Sequence, residues 1–143
     1  MIYHGDTENT EVAQRIKEEA EMRDHYQNEQ EIAAVVAGFE GCTTAPDQFK
    51  HREHLTVAAY YLRDSTPEKA FERMRSGLFR FLDHHGVGRA KYNEQLTLSW
   101  ITLIESVIEQ TDPNLSLLAV TNIVLERLGD SRMSIEDDHK ATQ

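Results

Sequence analysis

The chain has 143 residues, 39% hydrophobic and 28% charged, enough for one domain with a substantial core. Its 25 Asp and Glu outweigh 15 Lys and Arg, for a formal net charge of −10. That balance argues against nucleic acid and against an anionic membrane surface, both of which need clustered cations. No apolar run approaches the ~20 residues of a membrane span. The single cysteine, Cys42, can form no internal disulfide, and the polar N-terminus carries no apolar signal segment, so a cytoplasmic setting is expected.

Residues 1–27 read as an acidic helical arm. Glu11, Glu18, Glu19, Glu21 and Asp24 stand against Arg15, Lys17 and Arg23, and Val12, Ile16 and Ala20 mark only a thin apolar stripe. Such an arm suits a homodimer contact better than a core. Residues 28–129 read as a helical domain, and 130–143 as a loose polar tail. Within the domain, Ile32, Val35, Val36 and Phe39 predict a short buried helix over Glu29–Glu40, ended by Gly41. The next helix is expected to start at Thr44 or Ala45, with Pro46 in its first turn, and to run to Arg63. Ser65 and Glu68 have capping-box spacing and open a third helix. Its stripe includes Ala70, Met74, Leu78 and Phe81, and Gly86 is the expected left-handed residue at its end, followed by Val87. A fourth helix begins near Asn93, and a fifth restarts at Asp112 and Pro113 and ends at Gly129. No strand pattern competes. The expectation is an all-α fold of about five helices in a compact antiparallel bundle with short connections.

The chemistry-bearing residues concentrate in the middle of the chain. His51 and His54 fall on the same arc as Leu55, Ala58 and Leu62, inward rather than on the solvated back of the second helix. His85 continues the apolar stripe of the third helix. Asn93, Thr97, Trp100 and Ile104 share an arc of the fourth, with Glu94 at its edge. A histidine pair at i, i+3 projects toward one point, and a third imidazole would complete a metal set with an open position. His51, His54 and His85 are therefore the candidate metal ligands, for zinc, nickel or iron. Glu94 is the candidate proton carrier with Asn93 orienting, and Thr97 and Trp100 are candidate substrate contacts. The HREH run is not the metalloprotease HExxH pattern. Simpler roles compete: His85 at a helix C-terminus complements the dipole, and Asn93 caps a helix.

The pattern F-x-H-x-x-H-L-x-x-A-x-x-x-L, carried by Phe49, His51, His54, Leu55, Ala58 and Leu62, resembles that of a family of small helical bacterial proteins with no established activity. His85, Gly86 and Val87 match that family's next step. Its tyrosine–histidine–glutamate–threonine–x–threonine run reads Tyr92, Asn93, Glu94, Gln95, Leu96, Thr97 here, so asparagine stands where the resemblance implies histidine. The likeness covers roughly Ile32 to Ile108. The functional expectation is a small-molecule enzyme with an inward histidine site between helices, metal-dependent if the imidazoles converge. The alternatives are a non-catalytic helical interaction module with a buried histidine network, and a ligand-binding or pH-sensing protein.

Overall fold

A computed structural model describes residues 11–13, 15 and 25–129. Most of the acidic arm and the tail from Asp130 lie outside the described residues. Residues 11–13 and 15 are helical and exposed. The rest of the described chain is helix and turn, in the order α1 (Glu29–Glu40), a 3-10 turn (Pro46–Gln48), α2 (His51–Asp64), α3 (Pro67–His84), a second 3-10 turn (Arg89–Lys91), α4 (Glu94–Glu109) and α5 (Leu117–Leu128).

Helix α2 is the axis of the bundle and packs against each of the other four. Its middle residues, Leu55 to Ala59, are all buried, as are Tyr61 and Leu62. A helix buried around its whole circumference belongs at the centre of a fold. The neighbours each give it one stripe: Ile32, Val36 and Phe39 from α1, Met74, Leu78 and Phe81 from α3, Ile101, Ile104 and Val107 from α4, and Val120, Val124 and Leu125 from α5. Phe39 is fully buried and stacks on Phe49, with centroids 4.7 Å apart and planes 10° from parallel. Its ring lies against the backbone of α3 at Gly77, where an added Cβ would stand 2.6 Å from the ring edge. Among the described residues, no helix is long and apolar enough to cross a membrane.

Several boundaries differ from the sequence expectation. Pro46 opens only the 3-10 turn, and α2 starts at His51, because Lys50 is extended. Two contacts fix that start. The Glu53 carboxylate accepts from the Lys50 backbone N–H at 2.9 Å, and Phe49 packs on His54 with centroids 4.4 Å apart. The first is half of a capping box and the second occupies the hydrophobic-staple positions. Helix α3 is capped by Thr66, whose hydroxyl accepts from Lys69 N–H, while Ser65 ends α2. Asp112 and Pro113 form a turn, and α5 begins only after Ser116, which caps it. The end of α3 is as expected: Gly86 has φ +69°, Val87 N–H reaches Leu82 O at 3.0 Å and Gly86 N–H reaches Asp83 O at 3.2 Å. These are the two bonds of a Schellman motif.

Tyr26, assigned by sequence to the arm, is part of the core. It is 4% exposed, its hydroxyl bonds Thr56 Oγ1 at 2.7 Å, and Arg52 lies over its ring. The Asn122 side chain clamps its backbone, accepting from Tyr26 N–H at 2.9 Å and donating to Tyr26 O at 3.1 Å.

Candidate functional site

Between α2, α3 and α4 lies a cavity of about 460 Å³. Helix α2 supplies His51, His54, Leu55 and Ala58, a single stripe at i, i+3, i+4 and i+7. Helix α3 supplies Met74, Leu78, Phe81 and Leu82, and α4 supplies Leu96, Thr97, Trp100, Ile101 and Ile104. The remaining wall comes from the two segments around the 3-10 turns, Pro46, Phe49 and Lys50 from the first and Val87, Lys91, Tyr92 and Asn93 from the second.

Each imidazole in the wall is anchored by a backbone carbonyl. His51 Nε2 is 3.0 Å from Leu128 O, at the C-terminal end of α5, and the His51 ring meets Trp100 edge-on at 4.8 Å. His54 Nδ1 is 3.0 Å from Lys50 O. A carbonyl can only accept, so His51 carries its proton on Nε2 and His54 on Nδ1. Neutral rings then keep a lone pair on His51 Nδ1 and on His54 Nε2. Burial holds the His54 pKa below the ordinary imidazole value, and nearby His51 lowers it further. The Lys50 carbonyl and Glu53 pull the other way. His54 also sits in the first turn of α2, where the positive end of the helix dipole disfavours a cation.

The Asn93 side-chain oxygen accepts from Leu96 N–H at 2.8 Å, so Asn93 is the N-cap of α4 as well as a wall residue. Thr97 donates its hydroxyl to Asn93 O at 2.9 Å. Asn93→Ala is expected to cost about 1 kcal/mol of stability, measured by urea unfolding, and to leave α4 frayed at its start. The Tyr92 hydroxyl is buried, with Thr97 and Arg75 close to it but no hydrogen bond of good geometry made. Burial raises its pKa, with Thr97 and Arg75 opposing that rise.

The structure brings His51, His54, Asn93, Thr97 and Trp100 to one cavity but not His85 or Glu94. His85 is the C-cap of α3. Its ring packs on Phe81 at 4.6 Å and on His84 at 4.9 Å, and its Nε2 is buried without a partner. Glu94 is exposed and ion-paired to Arg75 at 2.8 Å. No group of three or more His, Cys, Asp or Glu side chains is arranged to hold a metal ion among the described residues. Lys50, Lys91 and Tyr92 also line the cavity without having been site candidates: Lys50 was expected inside a helix that in fact starts after it, and Lys91 and Tyr92 lie in and just after a 3-10 turn that carries no helical periodicity. No family model matches this chain, and neither does any curated protein or solved structure. Fold and cavity together define a helical bundle with an internal, largely apolar site that carries two imidazoles.

Proposed function

We propose that this protein takes a small molecule into the cavity between α2, α3 and α4 and acts on it with the His54 imidazole as proton acceptor. One observation carries the reading: a cavity of about 460 Å³ whose mostly apolar wall holds His54 with Nδ1 committed to Lys50 O. Small-molecule sites have this make-up, roughly 300–1,000 Å³ of apolar surface with a few placed polar groups. A partly buried imidazole whose pKa is held down keeps its lone pair available near neutral pH, which general-base work requires. Zinc, nickel or iron would find His51 and His54 here rather than three imidazoles, so a metal enters the proposal only through that pair.

The second reading is the non-catalytic module. It is favoured by the fact that both imidazoles already bond backbone carbonyls, as residues of a satisfied buried network do. Ligand-observed NMR with a fragment library, run on the wild type and on Ala58→Leu and Leu96→Trp, separates the two. Fragments that bind the wild type and are lost from both folded, cavity-filled variants support the site. Fragments that bind all three proteins alike, or none at all, leave the structural network as the account. Zinc titration of the same samples tests the metal: affinity weakened tenfold or more by His51→Ala and by His54→Ala would make the site metal-dependent.

A further inference from the structure

The polar composition of the cavity wall is the reverse of the chain's. The chain carries 25 carboxylate side chains against 15 lysines and arginines. The wall contains two exposed lysines, Lys50 and Lys91, from separate segments of the chain, and no Asp or Glu. Lys50 immediately precedes α2, and Lys91 closes the second 3-10 turn. Next to Lys91 in sequence, Tyr92 places a buried hydroxyl in the same wall, near Thr97 and Arg75. Thr97 has spent its proton on the Asn93 carbonyl, and His51 and His54 have each spent theirs on a carbonyl. Behind these groups the wall is hydrocarbon and aromatic ring, with Leu55, Met74, Leu78, Phe81, Ile101 and Ile104.

From this distribution we infer that the ligand is a small amphipathic carboxylate, with its acyl body among the α2, α3 and α4 side chains and its carboxylate between Lys50 and Lys91. The inference rests on the cavity being a ligand site and adds the chemical class of the ligand. Three features select it. An apolar body is what the inner wall can desolvate at a gain. A bare cation is disfavoured, because two lysines and no Asp or Glu stand among the residues that line the site. A neutral head group would draw nothing from the two exposed lysines, whereas a carboxylate supplies acceptors and a charge complementary to theirs.

Trp100 is the only tryptophan and lines the cavity, so its fluorescence reports occupancy without a label. The full chain is titrated with decanoate, decanol and decylamine, and separately with hexanoate, octanoate and decanoate. Decanoate is expected to bind saturably and at least tenfold more tightly than decanol, with decylamine weaker still. Along the acid series, affinity should rise about fourfold per methylene until the cavity is full. Lys50→Met with Lys91→Met should erase the preference for decanoate over decanol and leave decanol affinity in place. Decanol or decylamine binding as tightly as decanoate overturns the carboxylate assignment and leaves the cavity as a ligand site. A preference that survives the double substitution overturns the role of the two lysines. If none of the three compounds binds, the assignment fails together with the cavity's role as a site for apolar ligands.

Discussion

Phe39→Ala is expected to cost about 4 kcal/mol of unfolding free energy, near the middle of the range of ~3–5 kcal/mol for buried phenylalanines. The ring is fully buried, stacked on Phe49 at 4.7 Å and tilted on Phe81 at 5.7 Å. One side is closed by the α3 backbone at Gly77, which comes too near to admit even a methyl group. Backbone relaxes into a cavity less readily than side chains do, so little of the vacated volume can be refilled. The site should suffer as well. Phe49 rests on Phe39 on one side and on His54 on another, so removing Phe39 loosens the staple that fixes the start of α2. Urea unfolding at neutral pH measures the first effect, and the affinity of any cavity ligand measures the second. A loss below about 1.5 kcal/mol, the scale of a single well-tolerated core change, would mean the aromatic cluster repacks freely. It would then not be what positions His54.

How far the sequence reading reached is clearest at helix ends. Helix α1 spans the predicted residues, and the glycine stop of α3 was legible in full, because both depend on neighbours within one turn. The start of α2 was missed although its signals were present. Lys50 and Glu53 have the spacing of a capping box, and Phe49 and His54 that of a staple. Pro46 outweighed them in the reading because proline at a first helical turn is a strong signal, yet here it opens a single 3-10 turn. Tyr26 was not legible at all. Its partners, Thr56 and Asn122, are 30 and 96 residues away, and nothing local distinguishes it from the polar stretch it ends. The candidate site divides in the same way. The shared arc brought His51 and His54 to one cavity with Thr97 and Trp100. An arc cannot say which inward neighbour a residue meets, so His85 was placed with them although it packs on Phe81 and His84. Glu94 lies at the start of α4, where Arg75 from α3 holds it at the surface.

The second large effect is a dependence on acid that belongs to His54. Burial first, then the nearby His51, lowers its folded pKa below the ordinary imidazole value that it has in the unfolded chain. The unfolded chain therefore takes up the proton first as the pH falls. The stability contributed by neutral His54 is whole above the unfolded value, declines as the pH drops from there through the folded value, and is gone below it. Within that window the slope approaches about 1.4 kcal/mol per pH unit for one group. His54→Leu should remove this slope. At pH 8 the substitution exchanges one hydrogen bond to Lys50 O for apolar contact with Phe49, two changes of opposite sign, so the wild type and variant should differ by less than about 1.5 kcal/mol. As the pH is lowered, the wild type should lose stability faster than the variant, and the two urea-unfolding curves should converge or cross. The histidines remote from His54 are present in both proteins and cancel in the difference, and the neighbouring His51 is controlled by repeating the comparison in a His51→Gln background. Parallel stability profiles across that range would show that His54 keeps its ordinary proton affinity in the folded chain. Burial would then not be what keeps the His54 lone pair free, and the electrostatic support for His54 as the proton acceptor in the cavity would be lost.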